Sequence, residues 1–435
     1  MAEGRWFRLL PTRRRVVIYV AGLLGLLVVR GALNLWAGYR LRTVSARIEQ
    51  SYGKLDLAAL APPAVAPAEN RARILSAAAA LTVRQPALAN RGELTQALLG
   101  SPAEDPAKRQ AVLRQAVEEN RIALEVLEEA ESRPKSNWEI SYHDGAQVRL
   151  PSLAEIRDLS LVNAAAALLD LDEGDANGAA RRARLGMVLA RSLAQEPNLL
   201  VQLIRMAIAH DQCRLLRVTL AQGSPSLPAL EALATLLEAE RRERPAVVGL
   251  IGELKFQNSL FRGFDRGNDV WTGSREEGFA WSTVFPWLLR PAIHVAHART
   301  LEQDDKIIQY ARLDPFERQV RTVKPPSGEP QPWWWRQFGE VFTVGLERAV
   351  RSGDEHRAVM TLGATAVALR RFRQERGSYP ASLGALVPAL LPSAPIDPFT
   401  GGQVGYTLAG DGFELRVTVP PDVVPAERFV WKLPS

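Results

Sequence analysis

The sequence predicts a mainly α protein: an N-terminal transmembrane helix, an irregular helical bundle, and a small C-terminal α+β cap with a short antiparallel sheet. Three observations predict it. Val16 to Val29 carries no polar side chain except Tyr19, directly behind Arg13-Arg14-Arg15. From Ala68 to about Val323, apolar residues recur at helical spacing. Only beyond Gln403 do short alternating runs take over.

The apolar run sets the location of everything behind it. Its fourteen residues make only about 21 Å of helix, short of the roughly 30 Å hydrocarbon core. The predicted span therefore covers 16–38, continuing past Arg30 through Leu33, Leu35 and Trp36, with the Arg30 guanidinium snorkelling toward headgroups. Trp6 and Phe7 on one side, and Trp36 and Tyr39 on the other, are spaced as aromatic belts. The block Arg13, Arg14, Arg15 abutting the run favours a cytoplasmic tail over 1–15 and an extracytoplasmic, periplasmic bulk, single-pass in a bacterial inner membrane. A cleaved secretory signal is the competing reading. No small-x-small site follows the run, and Arg30 stands where it would be. Thr12 to Val17 also loosely matches a twin-arginine export signal.

The chain carries a net charge of +6, which raises the question of a nucleic-acid partner. The charge is not evenly spread: Met1 to Lys54 carries +8, and Leu55 to Ser435 carries −2. A near-neutral body offers no phosphate-binding field, so no nucleic acid is expected. One cysteine, Cys213, excludes an intramolecular disulfide and a Cys-rich metal site, and its apolar helical setting predicts an inert thiol.

Residues 39–67 read as a helical stalk to about Leu57 and then a spacer, because the prolines of Ala61 to Pro67 each delete a donor and restrict their predecessor. A helical domain is predicted over 68–323, with segments near 69–84, 104–132, 152–173, 175–195, 198–222, 227–242 and 245–262. The apolar stripe Leu200, Leu203, Ile204, Ala207, Ile208, Leu215 is one example. Gly174-Asp175 is the punctuation of a tight turn between antiparallel helices. No recurrence near 34 residues supports a solenoid. Trp138 to Leu150 alternates around Asp144-Gly145 and predicts a β-hairpin. Glycine-rich 263–283 and the Pro-rich start of a linker and helix over 324–353 read as loops. A last domain is predicted over 354–435, opening on a helix from Asp354 to Arg376 with the stripe Val359, Leu362, Ala366, Leu369, Phe372, and ending in strands over 403–409, 412–418 and 428–432.

The tail has a specific order. An amphipathic helix leads to Gly377-Ser378-Tyr379-Pro380, a Leu383/Leu386 turn, Pro392, the corner Ile396-Asp397-Pro398-Phe399-Thr400-Gly401, and strands holding Tyr406 and Phe413. Tyr379 can staple the chain back on the helix that Pro380 ends, and Asp397 can cap the corner that Pro398 stiffens. This order, over about 354–419, resembles the C-terminal half of type II secretion pseudopilins. The resemblance implies a small sheet packed on a long helix and an association with a secretion or pilus-like apparatus. The family's processing site is replaced here by Arg15 and Val16 to Val20, and near its acidic calcium loop only Asp411-Gly412 and Asp422 stand. Arg191 to Pro197, leading into Leu200 to Ile208, is similar to large envelope proteins of bacteria with elaborate membranes, a likeness that implies no activity.

Candidate chemistry is sparse. His294-x-x-His297 places two imidazoles on one helix face with Asp305 roughly in line, but the H-E-x-x-H spacing is absent. His143-Asp144 and His210-Asp211 suggest a base with an orienting acid, although helix neighbours point about 100° apart. There is no Gly-x-Ser-x-Gly elbow and no phosphate-cradling glycine loop. Trp333, Trp334 and Trp335 cannot all face one core: either one or two pack against the helix at 339–350 and the third is partly exposed, or the run is a docking patch for a protein partner or the outer face of the bilayer. No metal and no cofactor is expected. The sequence thus leads to a membrane-anchored scaffold or interaction protein with the bilayer and envelope proteins as partners; the alternative is an envelope hydrolase or metal enzyme using His294 and His297.

Overall fold

Twelve α-helices and one three-stranded sheet make up the regular structure in the computed structural model, which describes residues 13–84, 105–265, 281–323, 333–419 and 429–434. Trp6 and Phe7 lie outside the described residues, and Arg13 to Arg15 open the first helix. In chain order the helices are α1 (Arg13–Tyr52), α2 (Arg71–Ala80), α3 (Pro106–Glu119), α4 (Arg121–Glu129), α5 (Leu153–Asp172), α6 (Ala176–Ser192), α7 (Leu199–Gln222), α8 (Leu227–Arg242), α9 (Pro245–Asp265), α10 (Trp281–Arg312), α11 (Pro315–Val320) and α12 (Trp333–Arg376).

The division of the chain differs from the one expected. Two compact units form, each from segments far apart in sequence: 1–56 with 145–147 and 254–305, and 57–144 with 148–253 and 306–435. The expected boundary at 353/354 falls inside α12, which runs unbroken for 44 residues. Its stretch from Ala358 to Arg370 is buried on every side, the burial of a central core helix rather than of an appended domain.

In the larger unit, α5, α6 and α7 pack in sequence order, and α8 and α12 close the same core. The α5–α6 turn forms as the sequence predicts. Gly174 sits at φ +84°, where a side chain would be strained, and Asp175 accepts from the Gly178 N–H at 2.8 Å. At the turn into α7, a Cβ on Gly252 would overlap the Pro197 carbonyl at 1.4 Å, so α9 can approach only through that glycine.

Local differences have local causes. Trp138 to Leu150 is not a hairpin; Tyr142–Gln147 is a 3₁₀ turn. Glu196 takes the partners that a hairpin would need, accepting from the Trp138 backbone N–H at 3.0 Å and the Tyr142 hydroxyl at 2.8 Å. The expected 104–132 helix breaks at Asn120, whose amide donates to Ala116 O and accepts from Val83 N. The proline spacer is not free, since Asn137 Nδ2 donates to the Pro63 carbonyl at 2.8 Å. The stripe expected to bury α7 is off phase: Leu200 is exposed, while Gln202, Arg205 and Gln212 take core positions.

The tail builds the predicted antiparallel sheet, β1 (Gly405–Ala409), β2 (Gly412–Arg416) and β3 (Val430–Leu433), with Tyr406 opposite Leu415 and Leu415 opposite Trp431. Phe413, Leu415 and Trp431 face the core. Tyr379 packs edge-on to Phe413 at 4.9 Å, and the Tyr406 hydroxyl donates to the Pro380 carbonyl at 2.8 Å, fastening the sheet to the turn after α12. Buried Asp397 does cap its corner, accepting from the backbone N–H groups of Phe399 and Thr418, each at 2.9 Å. Replacing Asp397 with Ala strands two buried donors and is expected to cost about 2–4 kcal/mol of unfolding free energy, against under about 0.5 for the exposed control Thr407→Ala. Equal denaturation midpoints for the two variants would contradict this.

Candidate functional site

The first helix changes character along its length. Val17 to Val29 is exposed throughout, with ten large side chains from 44% to 71% accessible. From Arg30 onward one face becomes covered at Arg30, Asn34, Ala37, Leu41, Val44 and Ile48. That alternation of four and three is a heptad seam. Its partner is α10, and the cross-links run in the same direction along both helices. The Arg30 guanidinium donates to the Trp287 carbonyl and lies 3.5 Å over the Trp287 ring. Further on, Arg40 pairs with Glu302 at 3.0 Å, and the Tyr52 hydroxyl donates to Asp305 at 2.7 Å. Arg30, expected to reach for headgroups, is thus held by an aromatic side chain. Trp36 and Tyr39 are exposed beside the seam.

The residues weighed as metal ligands occupy this same unit but do not converge. His294 Nε2 lies 3.2 Å from Asp265, which also binds Arg290 at 2.8 and 3.0 Å. His297 Nε2 lies 3.0 Å from Asn258 Oδ1, with its ring stacked on Phe261 at 4.7 Å. The Asn258 amide donates to Leu55 O at 2.6 Å, which turns its oxygen toward His297 and fixes the Nε2–H tautomer. Asp305 is committed to Tyr52. Among the described residues, no group of three or more His, Cys, Asp or Glu is arranged to hold a metal ion. Burial, aided by Arg262, pushes His297 down to about 3.

The larger unit hides a charged centre that sequence spacing did not reveal. Arg205, Glu240 and His356 are fully buried, on α7, α8 and α12. Arg205 meets Glu240 at 2.6 Å and also binds Glu243, and Arg191 from α6 meets Glu240 at 2.9 Å and Glu243 at 3.1 Å. Two guanidiniums thereby balance two carboxylates. A His356 ring nitrogen lies 3.3 Å from the second Glu240 oxygen. Burial alone would raise the Glu240 carboxyl, yet His356 and Arg205 hold it well below the usual range. The only local signal was a charge at a core position of α7; its partners come from three other helices.

Beside this centre, His210, Arg214, Arg217, Glu355, Val359, Phe429 and Trp431 line a cleft of about 20 Å³. That is room for about one water, far under the roughly 300 Å³ of small-molecule sites. His210 stacks on His356 at 5.4 Å, while Asp211 binds Arg157 and, at 3.0 Å, Arg214. Asp211 is thus held by two arginines, and His210 stacks on a residue of α12. His143 is exposed on the 3₁₀ turn. Cys213 is fully buried, and burial pushes its thiol far above the ordinary range, as its apolar setting predicts. Trp333, Trp334 and Trp335 form the first turn of α12, and their side chains lie outside the described residues.

The chain matches no protein-family model, no curated protein and no solved structure. Geometry alone carries the functional reading.

Glu240→Gln leaves buried Arg205 short of its main counter-charge and is expected to cost about 3 kcal/mol or more in denaturant unfolding, while half-exposed Glu243→Gln costs under about 1. Similar losses would show that the centre is not organised around Glu240. His297 binds a proton far less readily folded than unfolded, so its contribution is complete above about pH 6.5 and is lost as pH falls toward 3. Thermal melts from pH 7 to 4 should show this decline, and His297→Gln should flatten it. An unchanged slope would refute the assignment.

Proposed function

We propose that this chain is a single-pass membrane protein whose body works in the cell envelope by contact, as a scaffold or interaction protein, and not by turnover of a small substrate. One observation carries the reading: α1 is bare and apolar over Val17 to Val29 and covered by protein along one face from Arg30 onward. Ten exposed side chains of the Val, Leu, Ile and Tyr kind in water would cost on the order of 10–20 kcal/mol. That rivals the whole stability of a domain, about 5–15 kcal/mol. Hydrocarbon removes the cost. The 40 residues of α1 give about 60 Å of helix, enough for a roughly 30 Å crossing and a similar length of seam.

A cytoplasmic N-terminus and a periplasmic body are part of the proposal, resting on the basic block ahead of the apolar run. Envelope proteins are the proposed partners, with the Trp333 to Trp335 turn as one docking surface. The order of helix, Tyr379-Pro380 turn, Asp397 corner and three-stranded sheet supports kinship of the tail with pseudopilin C-terminal domains. The lack of a pilin processing site argues for an accessory role rather than a fibre subunit. The enzyme reading has less behind it, because His294 and His297 each have their own protein partner.

The full chain should remain in the membrane pellet after alkaline carbonate washing, and deletion of 16–29 should release it. Recovery of the intact chain in the wash would defeat the proposal. A reporter active only in the periplasm, fused after Ser435, should be active; a silent fusion would reverse the orientation.

A further inference from the structure

The anchor helix is not alone at its membrane end. The contacts between α1 and α10 keep to a band of offsets, 257 residues at Arg30 and Trp287, 262 at Arg40 and Glu302, and 253 at Tyr52 and Asp305. Offsets this similar, with both numbers rising, mean parallel helices. The register fixes relative depth. A span that begins near Val16 and needs about 20 residues ends near Trp36, so Arg30 lies about 9 Å inside that end. Trp287 shares its level. Helix α10 starts six residues before Trp287, at Trp281, which places its first turn about another 9 Å further along α1 toward the same membrane.

The charge pattern of α10 follows the same levels, independently of the contacts. Phe279 to Leu289 contains no charged residue and includes Trp281, Val284, Phe285, Trp287 and Leu288. Charge resumes at Arg290, whose register partner on α1 is near Asn34, where the α1 span itself is ending. Trp287 is half-exposed although it packs on Arg30, an arrangement wasteful in water and ordinary for an indole among lipid headgroups and upper acyl chains. The ring and carbonyl of Trp287 also give Arg30 a partner at a depth where an isolated guanidinium is costly.

We propose that the first two turns of α10, from Trp281 to Leu289, insert into the bilayer beside α1, a second membrane contact made from the middle of the chain. The body would then be held by two parallel helices rather than by one flexible tether. This inference rests on α1 being a membrane span, and its test separates the two claims.

Single cysteines replacing Leu27, Val284, Trp287 or Leu408 in the full-length protein can carry a nitroxide label, because fully buried Cys213 takes none in the native protein. After reconstitution into phosphatidylcholine liposomes, collisions of each label with oxygen and with a water-soluble nickel chelate report its depth. Oxygen should dominate at 27, 284 and 287, with 284 deeper than 287, and nickel should dominate at exposed Leu408 on β1. The variant Val284→Cys keeps the Arg30–Trp287 contact, so it stands even if Trp287→Cys misfolds. Nickel collisions at 284 and 287 matching those at 408, with 27 still in lipid, would overturn the second contact and leave the anchor intact. Nickel-accessible 27 would overturn both. Labels at 284 and 287 shielded from oxygen and nickel alike would mean cover by protein, such as a second copy, and would also overturn the proposal.

Discussion

One continuous helix, α1, changes along its length from a bare apolar surface, long enough to cross a membrane, to a seam packed by protein, and that change organises the unit around it. Val17 to Val29 is bare and, the Tyr19 hydroxyl apart, apolar, and the stretch beyond Arg30 carries a heptad seam flanked by Arg40 and Tyr52, which pair with Glu302 and Asp305 on α10. Neither half is stable in the other's surroundings. A bare apolar helix needs hydrocarbon, whereas a seam bearing Arg40, Glu302, Tyr52 and Asp305 needs water at its flanks. In the proposed crossing the two conditions meet near Trp36, about 9 Å beyond Arg30.

The larger unit solves a different problem, the burial of charge. Four charged groups from α6, α7 and the end of α8, joined by His356 on α12, form a balanced centre inside the core. Such a centre adds little net stability over a well-packed apolar one, because desolvation offsets the attraction. It does penalise any mispacking that separates the partners. Since its members come from four segments spread over 191–356, the helices must all be in place before the charges are neutral. The tail sheet joins the same core through Phe413, Leu415 and Trp431.

Helix existence was legible in the sequence wherever periodicity and caps agreed, as at Gly174-Asp175 and along α5, α6 and α8. Helix phase was less legible. In α7, Gln202, Arg205 and Gln212 are polar and fall off the apolar stripe, yet hydrogen bonds to Leu193 and Glu196 carbonyls, Glu240 and Ser160 make their burial affordable. Pattern reading classes residues one at a time, whereas burial of a polar group depends on a partner elsewhere. The Trp138 to Leu150 alternation misled for the same reason, since Glu196 on a distant segment captured it.

By itself the sequence determined the apolar run, its basic collar, the turn at Gly174-Asp175, the local Asp397–Phe399 cap and the hairpin of β1 and β2, because each rests on residues within one turn or one hairpin of each other. Only the tertiary structure decided that α12 runs through the expected boundary into the core, that His294 and His297 have separate partners, and that α10 runs parallel to α1 with Trp287 against Arg30. These are pairings across 29 to 257 residues. Chain spacing carries no distance information at that range; packing supplies it.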